Sequence, residues 1–323
     1  MKSIKLLGLF LVFTAVAALP LYASETGTFD RTLQVSGTVD LDVLSGSGNV
    51  KVHSGGNGSV YVHATIHARD SWFGLSAQEK IKKLQSNPPI EQQGNTIHVG
   101  KIEDRELQQN VSIDYDVTVP AQTKVSSQTG SGDQNIRGLQ LAVIAHTGSG
   151  NITVDEIGAG VHARSGSGDL RISGVNGPLN AEAGSGNIHA RGIAGDVSVN
   201  TGSGEIEIEQ TAPGGVRASA GSGNVKLHGV KGSLRAETGS GDITVDGEPT
   251  GDWRVSAGSG NIDLRVPSSA SFNIDARTSS GTLKVNRQVT MQGTFSRNHV
   301  QGKVGSGGVL VDLHTGSGDI QVN

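Results

Sequence analysis

The tripeptide Gly-Ser-Gly begins at positions 46, 130, 148, 166, 184, 202, 221, 239, 258, 305 and 316, and Ser279-Ser280-Gly281 is a degenerate copy. From 130 to 258 the copies are 18 or 19 residues apart, and each is followed by Asp, Asn or Glu. So short a period means one small supersecondary unit stacked on copies of itself. The copy from Gly221, GSGNVKLHGVKGSLRAET, holds two alternating runs, Val225-Lys226-Leu227 and Leu234-Arg235-Ala236, separated by turn residues at Gly229 and Gly232. Alternation of period two bounded by glycine marks half-buried strands. The copy from Gly184 repeats it with Ile188, Ala190, Val197 and Val199 and turn glycines at 192 and 195; the copy from Gly166 does so with Leu170, Ile172, Leu179 and Ala181. Each unit reads as two strands and two turns.

An antiparallel meander in which every Ser-Gly is a hairpin turn fits this pattern. So does a β-solenoid in which each unit is one full coil. A meander of this length leaves its apolar face uncovered unless it closes or folds over. A solenoid buries that face inside every coil and sets equivalent residues above one another at about 4.8 Å. The column after each Gly-Ser-Gly favours the solenoid: Asp133, Asn151, Asp169, Asn187, Glu205, Asn224, Asp242 and Asn261 alternate acid and amide without exception. Carboxylates stacked at that spacing repel by roughly 1–3.5 kcal/mol at effective dielectrics of about 80 to 20. An interposed amide doubles the separation, and its NH2 can donate to the acids on either side. In a meander these residues form no single column. The predicted fold is all-β, a single-stranded β-helix or β-solenoid of about 18 residues per coil, whose open ends are aggregation hazards.

Residues 130–323 carry the regular repeat; residues 24–129 are less regular. Val39, Leu41 and Val43 alternate, and Gly46-Ser47-Gly48-Asn49 leads into Val50 and Val52, a full repeat signature. Val60 to Ala68 and Val111 to Val119 also alternate, and Pro120 ends the second run. We read 24–129 as opening coils of the same solenoid with one short helical insertion over 71–90. There Ser76 and Glu79 form a capping box, Ile81 and Leu84 share a face with Ala77, and Pro88-Pro89 stops the helix. The Trp72-Phe73 pair in this insertion reads as core or cap packing, or as a partner-binding patch.

Lys2 and Lys5 precede an apolar run from Leu6 to Leu19 and then Pro20, the layout of a secretory signal peptide over 1–23. The run is short for a membrane span, and no later stretch is apolar enough, so no transmembrane segment is expected after cleavage. The chain has no cysteine, which excludes a lipoprotein anchor, a disulfide framework and a thiolate metal site. Export to the periplasm, the cell surface or the medium is the expectation. Loss of Lys2 and Lys5 takes the formal net charge from −4 to a more acidic value, so the chain lacks the electrostatic footprint of a nucleic-acid binder. Glycine is about twice its usual share, but it is periodic and interleaved with valine and isoleucine, which argues turns and not disorder.

The serial Thr-Gly-Ser-Gly-Asp-Ile and Ser-Gly-Ser-Gly-Asp-Leu units at 165–170, 238–243 and 315–320, with Asn for Asp at 147–152, resemble the toastrack-type adhesin-like family of bacteria. So do Asp-Ser-Trp-Phe-Gly at 70–74, Asn-Pro-Pro-Ile at 87–90 and the closing Gly305-Ser306-Gly307-Gly308. That is a domain family of unknown function. The resemblance implies a right-handed β-helix in an exported or envelope-associated, non-enzymatic protein, and it brings no catalytic residues.

The glycine turns are not phosphate loops, because no Gly-Lys-Ser/Thr follows and each leads into a strand. They resemble half of a calcium-binding β-roll repeat, but occur once per 18 residues, alternate with neutral Asn and lack the second Gly-Asp turn; the column is read as a structural ladder. His63 and His67 share one face of a strand with Thr65 between them, and Asp114 and Asp116 alternate with Ile113, Tyr115 and Val117. Both sets read as solvated outer faces and not as metal or catalytic sites. The column Thr147, Ser165, Ala183, Thr201, Ala220, Thr238, Ala257 is too broken for an ice-binding threonine row. No cofactor, catalytic or metal residue is assigned. The expected function is a structural or interaction (adhesin-like) module of the cell envelope, its partner an envelope protein or polysaccharide. The alternative is a carbohydrate-binding or carbohydrate-processing β-helix with a site near the 71–110 insertion.

Overall fold

The computed structural model describes residues 24–56, 58–70, 74–291 and 296–323. The signal segment 1–23 and the Trp72-Phe73 pair lie outside the described residues.

The repeat region is a two-sheet parallel β-solenoid. In the coil containing Gly166, Val161–Ser165 lies in one sheet, the Gly-Ser-Gly turn makes the corner, and Leu170–Val175 lies in the other. Val161, Ala163, Ser165, Leu170, Ile172 and Val175 point inward and are buried. The next coil repeats this in register: Val161 sits beside Leu179, and Leu170 beside Ile188. The alternating apolar positions therefore form columns that zip one continuous core along the axis.

A second in-register feature is a left-handed kink. Gly174 (φ 62°) and Gly192 (φ 67°) lie within strands, not at turns, and each lets Val175 or Ile193 turn inward again after Ile172 or Ala190. Glu156, with φ 56°, occupies the same column without being glycine.

At both ends the spatial order departs from the chain order. At the start, Val39–Ser45 and Val50–Ser54 form a coil that stacks directly on Thr123–Thr129 and Gln134–Leu139, and on its other side Thr96–Val99 pairs parallel with Val39–Ser45. The intervening chain is an excursion to the other side of that coil. Val111–Val119 pairs parallel with Val50–Ser54, whereas Ser59–Ala68 and then Glu25–Gln34 add on antiparallel. The expected opening coils are thus two parallel rungs, the second made by Thr96–Val99 and Val111–Val119, extended by antiparallel strands, with Ile90–Gln93 on one sheet and Ser59–Ala68 and Glu25–Gln34 on the other. Only four residues separate Val50–Ser54 from Ser59–Ala68, too few for the crossover that a parallel return requires. The helix Ala77–Ser86 has both capping-box bonds, Ser76 Oγ accepting from Glu79 N–H and Glu79 accepting from Ser76 N–H. It packs on Glu25–Gln34 and Ser59–Ala68 through Ala77, Ile81 and Leu84. A second, four-residue helix, Arg105–Gln108, was not foreseen. The outer strand Glu25–Gln34 is protected as a sheet edge: Gln85 donates to Thr28 O and Gln92 to Gln34 O.

At the other end, Leu310–Ser317 and Ile320–Val322 insert between the coil of Trp253–Ser259 and Ile262–Arg265 and that of Phe272–Ser280 and Leu283–Val285. Antiparallel His299–Val304 and the three-residue Val289–Met291 close that edge. Trp253 is buried in register between Leu234 and Val311, its indole N–H donating to Gly232 O at 2.9 Å. Among the described residues no helix is long and apolar enough to cross a membrane.

Candidate functional site

The Gly-Ser-Gly corner is built by stacking. A methyl on Gly150 would lie 2.0 Å from Gly132 O, and one on Gly148 would lie 2.4 Å from Gly130 O. Both glycines of the motif face the neighbouring rung, whereas the serine between them is exposed. The residue before the motif points inward. Thr147 Oγ1 accepts from Gly150 N–H at 3.0 Å and donates to Gly132 O at 3.2 Å; Ser165 and Thr201 repeat this with their own glycines. This hydroxyl column is a buried corner clamp, so it presents no surface row of any kind.

The residue after the motif forms a ladder of a kind the side-chain types alone did not indicate. The Oδ1 of each rung accepts from the backbone N–H of the next. Asp114 accepts from Asn49, Asn49 from Asp133, Asp133 from Asn151, Asn151 from Asp169, Asp169 from Asn187, and Asn187 from Glu205, at 2.7–3.0 Å. Asn224 accepts from Asp242, Asp242 from Asn261, Asn261 from Asp319, and Asp319 from Thr282, at 2.7–2.9 Å. The break falls between Glu205 and Asn224, where the Asn224 amide donates to the longer Glu205 carboxylate at 3.3 Å. There the coil lengthens to 19 residues and the second glycine moves to φ near 150°, as at Gly223 (153°) and Gly241 (149°).

Acid and amide alternate in spatial order even where spatial and chain order differ: Asn49 separates Asp114 from Asp133, and Asn261 separates Asp242 from Asp319. Asn49 and Asp319 were within reach of sequence reasoning, since each follows a Gly-Ser-Gly; Asp114 was not, because no motif precedes it. The Thr282 N–H bonded to Asp319 holds that carboxyl below its ordinary value.

The ladder's first rungs open onto the outer face of the antiparallel extension, where three histidine–aspartate pairs gather. Asp30 accepts from the Tyr61 hydroxyl and pairs with His63 Nδ1 at 2.8 Å. Asp114 Oδ2 pairs with His67 Nε2 at 3.0 Å, and Asp116 with Lys51 at 3.0 Å and His53 at 3.2 Å. The Tyr61 hydroxyl, then His63, lower the Asp30 pKa, and the same bond raises that of Tyr61. A groove of about 570 Å³ lies beside these pairs, lined by Lys51, His63, Asp114, Asp116, Asn135 and Arg171 among others. Among the described residues no group of three or more His, Asp or Glu side chains has a metal-binding arrangement. The acids of this face are already committed to ion pairs and backbone donors. The arrangement can hydrogen-bond a polar ligand, and it offers no carboxyl in an apolar pocket of the kind that general-acid work requires.

The family model described as Toastrack DUF4097 matches residues 160–323. No curated protein matches. Among solved structures, a Parabacteroides distasonis ATCC 8503 protein named as a candidate lipid-binding protein is 15% identical, with 91% of this chain and 96% of that chain covered and a TM-score of 0.34. A candidate adhesin from Bacteroides fragilis NCTC 9343 is 13% identical, with 92% and 97% covered and a TM-score of 0.27. A candidate cell adhesion protein from Clostridium sporogenes ATCC 15579 is 11% identical, with 92% and 99% covered and a TM-score of 0.25.

Proposed function

This chain belongs to the Toastrack DUF4097 family, and from that premise we propose that it is a non-enzymatic, exported interaction module of the bacterial cell envelope. Its signal segment is removed, and the mature chain works as a rod whose outer faces meet an envelope protein or polysaccharide. The observation that carries this reading is the ladder: the motif acids, the most regularly placed carboxylates in the chain, spend their Oδ1 atoms on backbone N–H groups of the next rung. Side chains held in this way define a surface and are poor proton carriers. The test is fractionation of cells producing the chain with a C-terminal tag, with N-terminal sequencing of the product and a glycan-hydrolysis panel on the purified protein. We expect a processed product outside the cytoplasm and no turnover. A cytoplasmic full-length product overturns the export reading, and turnover lost in Asp116→Asn overturns the non-enzymatic one.

A second reading is a carbohydrate-binding surface in the groove beside Asp114 and Asp116, which is lined by residues outside the 71–110 insertion. Its polar lining suits sugar hydroxyls. Glycan-array binding that falls in Asp116→Ala and Lys51→Ala supports it.

A further inference from the structure

On the outside of the solenoid, charges facing each other across rungs are mostly opposite. Arg164 meets Glu182 at 2.5 Å, His189 meets Glu207 at 3.2 Å, and Lys51 meets Asp116 at 3.0 Å. One column breaks this pattern with three adjacent cations. In the sheet that holds Val161–Ser165, Arg217 lies beside Arg235 and Arg235 beside Arg254, in direct register. Like charges directly opposite each other destabilise a sheet. Their neighbours neutralise only part of the run: Glu237 meets Arg235 at 2.6 Å, and Asp312 meets Arg254 at 3.2 Å. Arg217 makes no ion pair or side-chain hydrogen bond among the described residues, and all three side chains are exposed.

The same column continues away from the arginines through Ser198, Asn180 and His162. The short Ser198 and Asn180 between His162 and Arg217 leave a groove of about 690 Å³ running along the solenoid axis. At its rim Asp196 accepts from Gly215 N–H at 2.7 Å, so that this carboxylate is tied to the backbone. From His162 to Arg254 the column spans five rung spacings, about 24 Å at the β repeat. Beyond Arg254 come Asp312 and then Asp275, which end the positive stripe.

We propose that this groove binds a carboxylated polysaccharide laid along the solenoid axis, with Arg217 and Arg235 in its lining holding successive carboxylates, Arg254 one rung beyond the lining extending the stripe, and Asn180 and Ser198 holding hydroxyls. The guanidinium fork matches a carboxylate with two parallel bonds. Asn and Ser both donate and accept, as sugar hydroxyls require. A linear polymer matches a stripe whose charges recur at the rung spacing, and each bound carboxylate relieves the repulsion that the free protein carries. Nucleic acid fits worse. The groove lining contains no Phe, Tyr or Trp on which bases could stack, and the chain as a whole is acidic. The site lies on the opposite sheet from the groove beside Asp114, and so stands apart from the second reading above.

The test is titration of the full mature chain with polygalacturonate at about 50 mM salt, with neutral dextran, dextran sulfate and single-stranded DNA as comparison polymers. We expect polygalacturonate to bind, Arg217→Gln to weaken it at least fivefold, and Arg217→Gln with Arg235→Gln to abolish it. Lys226→Gln, on the other sheet, leaves binding unchanged. Because the arginines repel one another, Arg217→Gln should keep or raise the melting temperature, which separates lost binding from lost folding. No binding of polygalacturonate, binding indifferent to the double variant, or equal binding of dextran overturns the proposal. So does tighter, arginine-dependent binding of dextran sulfate or DNA.

Discussion

The Asp169 carboxylate accepts a hydrogen bond from the backbone N–H of Asn187, one rung away, at 3.0 Å. Asn187 in turn accepts from the Glu205 N–H at 2.8 Å. The acceptor needed at each rung is an Oδ1, and Asp and Asn supply it equally. What distinguishes them is charge, and the alternation keeps carboxylates two rungs apart.

Two substitutions at Asn187 separate these roles. Asn187→Asp retains the acceptor but places three acids on consecutive rungs. It should cost about 1–3 kcal/mol at low salt, and much less near 1 M, where the screening length is about 3 Å. Asn187→Ala removes the acceptor and strands the Glu205 N–H, costing about 1 kcal/mol with little salt dependence. Chemical denaturation of both variants at two salt concentrations checks this; identical salt responses would refute the charge argument.

The second prediction concerns acid. Arg277, then His299, hold the Asp275 carboxyl below its ordinary value, with Arg277 Nε donating at 2.9 Å and His299 Nε2 at 3.0 Å. A carboxyl lowered by folding stabilises the fold fully above its unfolded value of about 3.9, and that stability is lost as pH falls through the lowered folded value. Asp275→Asn should therefore flatten the fall in melting temperature below about pH 4. At pH 7 it should cost about 1–2 kcal/mol, partly offset by relief from Asp312, its neighbour across the rung. A melting curve against pH that is unchanged by the substitution would exclude Asp275 as a contributor.

How far the sequence was legible varies by region. Between 130 and 265 the period, the inward columns and the acid–amide column could all be read, because each rung sees the same neighbours. Even the Arg217, Arg235 and Arg254 run is visible once the repeats are aligned, each lying four residues before the first glycine of its Gly-Ser-Gly. The ends were illegible for a physical reason. Whether Val50–Ser54 stacks on Val111–Val119 or on the next segment of chain is decided by pairings across some 60 residues, and alternation alone does not record the partner. The kink glycines were misplaced similarly: Gly192 and Gly229 have a turn residue's composition but sit inside paired strands.

That kink column yields the third prediction. Glu156 holds φ 56° where Gly138, Gly174 and Gly192 hold 62–73°. A side chain in this left-handed region costs roughly 1–2 kcal/mol, and glycine returns part of the gain through its larger unfolded-state entropy. Glu156→Gly should raise stability by about 0.5–1 kcal/mol, read as a higher denaturation midpoint at an unchanged slope. Destabilisation would mean that the exposed Glu156 side chain makes a contribution its surroundings do not reveal.

The corner glycines make the opposite case, because space and not backbone conformation requires them. Gly150 lies outside the left-handed region, so alanine meets no backbone strain there. Its methyl, however, would lie 2.0 Å from Gly132 O, 2.5 Å from Gly132 C and 3.0 Å from Asp133 N, all of them backbone atoms of the neighbouring rung. No side-chain rotation can clear that clash. The two rungs must separate by about an ångström or more, which lengthens the Asn151–Asp133 ladder bond, now 2.8 Å, and loosens the Thr147 clamp on Gly132. Gly150→Ala should therefore cost about 3 kcal/mol or more, at the upper end for overpacking. Ser149→Ala, one residue away and exposed, keeps its backbone bond to Gly130 O and should stay within about 0.5 kcal/mol of the parent. Paired denaturation curves decide the matter: if the two alanines are equally mild, the rungs do not pack at the distance that makes Gly-Ser-Gly the repeated corner.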